Sequence, residues 1–207
     1  MYLKQSLWED LCHLLINRVN EIPREWGGSE SGSPMHIDLI KYPDVFLRHK
    51  SNPVEFPLDD KTQRLIKWMY KAMYQYHGIG LAAIQVGYQK KMFVMDCTRS
   101  QTNEKVFINP EIVERSEETL RDNEGCLSAP GKSGDVRRHI RIILKYQDEN
   151  GKEERKTFYN LEARCIQHEM DHLDGKLCID YEKGNYSRDK NKSQTMVESD
   201  FRAKSDA

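Results

Sequence analysis

Gln167-His168-Glu169-Met170-Asp171-His172-Leu173 is the stretch on which the reading of this chain turns. It closes a segment, 161–173, that follows a helical pattern, with Ile166 and Leu173 reading as buried. On an α-helix, residues four apart lie about 40° apart in azimuth and about 6 Å apart along the axis. His168 and His172 can therefore bind one metal ion from a single face. Glu169, one residue along, can reach a metal's water without being a ligand. A catalytic metal usually needs a third protein ligand, with the last position left to water. Downstream, Asp174, Asp180 and Glu182 are candidates; upstream, EGCLS (124–128) offers Cys126 just before a Pro-Gly turn. A thiolate would complete a His₂Cys set and would be deprotonated by the metal itself. Taken alone, Cys126 reads as a small buried hydrophobe.

Outward from this helix, residues 58–76 place Leu65, Ile66, Met69, Ala72, Met73 and Tyr76 on one helical face. Asp59 and Asp60 stand near its start and His77-Gly78 ends it. KMFVMD (91–96), KVFIN (105–109) and EIVE (111–114) read as short strands. HIRIILKY (139–146) and ERKTFY (154–159) flank the turn-former Asn150-Gly151 and predict a hairpin. Strands with separate helices and no regular β-α alternation predict an α+β fold. Its expected form is short antiparallel sheets packed around the helix that carries HEMDH, with a further helix ahead of residue 78.

GIGLAAIQ (78–85) mimics a dinucleotide fingerprint, with Asp96 ending a later strand. Topology rejects that reading. The motif follows a helix, and fewer than ten residues separate it from KMFVMD, too few for a βαβ crossover. A tight turn with closely approaching backbones accounts for Gly80, Ala82 and Ala83, but not for Gln85. An amide inside an apolar run needs partners, and beside a metal it could donate to a developing oxyanion.

The chain has 207 residues, with 32 Lys and Arg against 33 Asp and Glu, a formal charge of −1. That length fits one domain with appended tails. A near-neutral charge speaks against direct binding of nucleic acid. No apolar run approaches 18 residues, so no membrane span is expected. Five cysteines form no secreted disulfide pattern. Residues 1–35 read as an extension, a short amphipathic helix over 1–22 and a Gly/Ser-rich linker. Glu9 and Asp10 argue against a signal peptide, and the segment is neither Arg-rich nor poor in acids as a transit peptide would be. A cytoplasmic protein is expected, with no clear sign of an organelle address. Residues 36–182 are left as the main domain, and 183–207 reads as a polar tail.

GIGLAAIQ (78–85), EGCLS (124–128) and QHEMDHLDG (167–175), in that order and at these separations, resemble the three signature motifs of the peptide deformylases. The opening segment LIKYPDVFLRHKSNPV is similar to that family's first strand and loop. The resemblance implies hydrolysis of the formyl group from the N-terminal formylmethionine of new polypeptides, with release of formate. It implies that Cys126, His168 and His172 bind one divalent metal, Fe²⁺ in the cell, with Zn²⁺, Ni²⁺ or Co²⁺ as substitutes. Glu169 would move the proton from water to the departing amine. The Gln85 amide and the backbone N–H of Leu127 would stabilise the oxyanion.

The same resemblance puts the substrate backbone against Gly80 and the methionine side chain among Ile79, Leu161, Cys165 and His168. Arg164 stands where the family usually places an aliphatic residue. Glu124 and Arg138 match an ion pair that braces the cysteine loop. Cys12, Cys97 and Cys178 are then left as packing residues. A monomer is expected. The expected partner is a formyl-Met peptide or nascent chain; a transient ribosome contact would be the only other, although 183–207 mixes both charge signs.

Two other readings compete. A zinc metallopeptidase using H-E-x-x-H would leave EGCLS and GIGLAAIQ unexplained. A non-catalytic protein with a structural metal would need a fourth protein ligand, for which only His139 and Cys165 are near in sequence.

Overall fold

Asp59 opens the helix α1 (Asp60–Gln75), its carboxylate accepting from the Thr62 N–H at 2.7 Å. This satisfies one of the donors that every helix leaves free at its start. Leu65, Ile66, Met69, Ala72 and Met73 form the buried stripe, as their spacing requires. The helix closes at Tyr76, His77 adopts a left-handed φ of 55°, and Gly78 N–H returns to the Met73 carbonyl at 2.8 Å. The computed structural model describes residues 38–98 and 100–183. The expected helix over 1–22, the linker, Cys12 and the tail after 183 lie outside the described residues.

Seven strands follow: β1 (Gly80–Ala82), β2 (Met92–Met95), β3 (Lys105–Arg115), β4 (Thr119–Gly125), β5 (Ser133–His139), β6 (Arg141–Gln147) and β7 (Glu153–Tyr159). An antiparallel five-stranded sheet runs β1-β2-β3-β6-β7, and β4 pairs with β5 as a separate hairpin. The second helix, α2 (Asn160–Leu173), follows β7 directly. Alternation along β2 divides the core. Met92 and Val94 pack with the stripe of α1, whereas Phe93 and Met95 pack with Ala163, Cys165 and Ile166 of α2. The sheet thus lies between the two helices, and Phe93 and Phe107 stack on the α2 side with centroids 4.8 Å apart. Among the described residues the fold is α+β, with antiparallel sheets and two α-helices, as expected.

Three local expectations change. KVFIN and EIVE are one strand, β3, because a register shift between Ile108 and Glu111 takes in Pro110, which has no N–H to give the ladder. Asn109 in this bulge has φ 50°, and its side chain bridges Val54 and Gln147. His139 ends β5 rather than starting the next strand, which begins at Arg141. The β4–β5 hairpin was not foreseen. The Asn150-Gly151 hairpin forms as β6–β7, with Gly151 at φ 80°.

Candidate active site

The site forms where α2, the β4–β5 hairpin and the segment 80–86 meet. Cys126 follows β4 in the hairpin loop, whose turn is closed by Ala129 N–H on the Cys126 carbonyl at 2.9 Å. Its Sγ lies 3.2 Å from His172 Nε2. The rings of His168 and His172 have centroids 4.9 Å apart and stand nearly perpendicular. Among the described residues, ligand atoms of Cys126, His168 and His172 all lie within 4.8 Å of one another. Asp174 and Asp180 are not in that group; Asp180 pairs with Arg48 instead.

The Cys126 loop is braced by charge. Glu124 is fully buried. Its Oε1 accepts from Arg138 Nε at 2.9 Å and Arg164 Nη1 at 2.7 Å, and its Oε2 from Arg138 Nη2 at 2.8 Å. Oε2 also meets His168 Nδ1 at 3.0 Å. With Nδ1 occupied, His168 has Nε2 left for a ligand. Arg138 reaches Asp171 Oδ2 at 2.7 Å, which also accepts from the Tyr181 hydroxyl at 2.8 Å. Burial alone would push the Glu124 carboxyl up, but the hydrogen bonds and charges of Arg138 and His168 outweigh it and hold it below the carboxylate range. Burial likewise opposes the His168 imidazolium, yet the Glu124 hydrogen bond and charge carry it up to about 9.

His172 goes the other way. Burial and the positive charges of His168 and Arg138 push it well down, so it stays a neutral imidazole, the form that binds metals. The adjacent Cys178 thiol and burial push the Cys126 thiol up; a bound cation would reverse this and deprotonate it. Glu169 is 3% exposed, and burial carries its carboxyl up to about 7. Its Oε2, like His172 Nδ1, has no hydrogen-bond partner among the described residues. A buried carboxylate oxygen with no protein partner suits a small polar ligand beside the cluster. One thiolate and two imidazoles are a donor set for a divalent transition metal.

Gln85 is buried, and its amide is held at both ends. Oε1 accepts from Ala82 N–H at 2.8 Å, and Nε2 donates to Ser128 Oγ at 3.1 Å while facing Cys126 Sγ at 3.8 Å. The amide is thus aimed at the loop that carries Cys126 and Leu127. The Leu127 side chain packs against the α1 core. Gly80 lies so close to α2 that a Cβ there would sit 2.5 Å from Glu169 Oε1 and 2.7 Å from Cys165 Sγ. Cys165 Sγ also faces the Ile79 carbonyl at 3.6 Å.

The residues assigned to substrate, His168 aside, fall into two places. Gly80 approaches Glu169 and Cys165, and Ile79 meets Cys165 through its carbonyl. Leu161, 37% exposed, lines a cavity of about 140 Å³ together with Leu120, Asp122, Asn160 and Arg164. Sequence reasoning missed Ser128 and Asp171 as partners at the site, and missed what Arg164 does. A basic residue between Ala163 and Cys165, on the buried side of an otherwise apolar turn, was the available signal.

The model of the polypeptide deformylase family matches residues 37–188. This chain belongs to that family. It is 45% identical over 151 residues to the peptide deformylase of Zymomonas mobilis, covering 70% of this chain and 85% of that one. With the enzyme of Rhizobium meliloti it shares 46% over 145 residues, 69% and 83% of the two chains. Among solved structures, peptide deformylase from Plasmodium falciparum superposes with a TM-score of 0.67 at 39% identity, covering 71% and 87%. That from Thermotoga maritima gives 0.67 at 38%, covering 72% and 98%. Within this deformylase chain no helix of the described residues is long and apolar enough to cross a membrane.

Proposed function

We propose that this chain removes the formyl group from the N-terminal formylmethionine of newly made polypeptides, releasing formate. The observation that carries the reading is the convergence of Cys126, His168 and His172 within 4.8 Å, with the buried Glu169 one residue from His168. Family membership takes the place of the metallopeptidase and structural-metal readings, which leave Gln85 and the Cys126 loop without a role.

Cys126 Sγ and the Nε2 atoms of His168 and His172 would hold one divalent ion, Fe²⁺ as the working metal. Such an ion supplies a Lewis acid and lowers the pKa of water beside it. Glu169 takes the proton of the attacking water and returns it to the departing amine. A carboxyl raised to about 7 is suited to both halves of that transfer near neutral pH. Gln85 Nε2 and the Leu127 N–H donate to the oxygen that gains charge as the formyl carbon becomes tetrahedral. At Gly80, β1 is the end strand of the five-stranded sheet, where substrate backbone can pair alongside it. The methionine side chain is received at Ile79 and Cys165, with Leu161 at the neighbouring exposed part of α2. Residues 36–182 form the catalytic unit, with 1–35 and 183–207 appended to it.

The test is formate release from a formyl-Met peptide by protein purified anaerobically with Fe²⁺ or Ni²⁺. Stoichiometric formate with free α-amine is expected. A metal-loaded protein that releases none contradicts the proposal.

A further inference from the structure

Arg164 is a charged side chain on the buried side of α2, 6% exposed, one turn before His168. Burying a guanidinium is costly unless its donors are paired. Here they are: Nη1 donates to Glu124 Oε1 at 2.7 Å and to the Val136 carbonyl at 3.2 Å, and Nη2 to the Leu120 carbonyl at 2.7 Å. Leu120 and Glu124 belong to β4 and Val136 to β5. One side chain of α2 therefore grips both strands of the hairpin that presents Cys126.

Arg138 joins the same two elements at a different point. From β5 it pairs with Glu124 inside the hairpin and with Asp171 on α2, past His168, whereas Arg164 ties the turn before His168 to both strands. The charges also count. The fully buried Glu124 carboxylate is paired by both Arg138 and Arg164. Without Arg164 its Oε1 loses one of two guanidinium partners, and removing one member of a buried charge group is damaging.

We infer that Arg164 is a positioning residue for the deformylase site. Through Glu124 it fixes the ring plane and Nδ1–H tautomer of His168, and through Leu120 and Val136 it fixes the strands that bring Cys126 to the two histidines. Cys126 and His168 belong to different elements, so their separation is set by contacts between hairpin and helix. The inference rests on the proposed metal site, and its test is readable apart from catalysis.

The experiment compares Arg164→Ile and Arg164→Lys with the parent protein and with Leu65→Ala, a truncation in the α1 core on the far side of the sheet. Co²⁺ affinity by competition, the Co²⁺ visible spectrum, thermal stability, and kcat and KM for a formyl-Met peptide are measured on each. Loss of a residue that orients a metal ligand typically weakens metal binding by about tenfold to hundredfold, and Arg164→Ile is expected to fall in that range with an altered spectrum. Its kcat falls while KM changes by less than about threefold, as expected for lost transition-state positioning rather than lost ground-state binding.

Arg164→Lys recovers part of the affinity, because one ammonium can reach Glu124 but cannot also span the Leu120 and Val136 carbonyls. Leu65→Ala loses stability and keeps its affinity and spectrum. If Arg164→Ile does not fold, Arg164→Lys is judged alone by the same readouts. The inference is overturned by unchanged Co²⁺ affinity and spectrum, by an equal loss in Leu65→Ala, or by an effect confined to KM. If the parent releases no formate while the Co²⁺ results hold, the deformylase reading fails and the positioning role stands. If the parent is active and the Arg164 variants bind Co²⁺ as it does, only the positioning role fails.

Discussion

Replacing Gly80 with alanine probes the closest approach in the site. The added methyl would lie 2.5 Å from Glu169 Oε1, 2.7 Å from Cys165 Sγ and 3.0 Å from Glu169 Cδ, where ordinary contact begins at 3.4 Å. Gly80 cannot retreat freely, because it pairs with Met95 in the sheet. Glu169 and Cys165 are one turn apart on α2, so both obstacles clear together only if the helix shifts. Overpacking of this kind costs about 1–3 kcal/mol, which for a domain of this size lowers Tm by a few degrees. If the carboxylate yields instead, it must move by roughly 1 Å, and a misplacement of that size can lower a rate about 100-fold. Metal content is expected to stay at the parent level, since Cys126, His168 and His172 are not among the atoms nearest that methyl. The assay pairs formate release with metal analysis and a thermal melt. A Gly80→Ala protein that holds its metal and turns over within about threefold of the parent would refute the reasoning, which gives the carboxylate no such tolerance.

His172→Ala removes the imidazole nearest Cys126 Sγ and should lose most of the bound metal, measured by elemental analysis after dialysis. Gln85→Ala should keep the metal and lose about 10²–10³ in kcat, the usual cost of one oxyanion donor; steady-state formate release decides this. Metal uptake should depend on pH. The His168 proton is held up to about 9, and the Cys126 thiol is also raised. Both protons must leave for the ligands to bind, so apparent Zn²⁺ affinity rises with pH, by up to about two log units per pH unit below about 9. Competition titrations between pH 6 and 8 check the sign, and an affinity that is flat or falling contradicts it.

Elements with a strong apolar period could be read in advance. The α1 stripe, the α2 helix and the β6–β7 hairpin carry their pattern in sequence because one face of each is buried and the other is not. The β4–β5 hairpin could not be read this way. Along β4 only Glu124 is buried, and its partner β5 spends a buried position on Arg138. A strand whose inward residues are charged has no apolar alternation to detect; what buries them is the ion network with α2. The bulge at Pro110 depends on Asn109 bridging two other segments, a tertiary fact absent from the local sequence.

At the site, the chemistry-bearing residues stood out because H-E-x-x-H spacing is dictated by the helix itself. Gln85 stood out as an amide in an apolar run. Arg164 read as a misfit in a pocket wall. Its side chain turns to Glu124 and the strand carbonyls, and that choice is made by partners 28 to 44 residues away.

The central claim is that Glu169 moves the proton in a reaction supported by a metal at Cys126, His168 and His172. It is tested most directly by Glu169→Gln, an isosteric change that keeps the side chain's volume and removes its proton-accepting charge. Metal stoichiometry and formate release are measured on the same sample. The account predicts one bound metal per chain and a loss in kcat of at least about 10²-fold, the contribution of a positioned general acid and base. A variant that binds its metal and releases formate at the parent rate would contradict it.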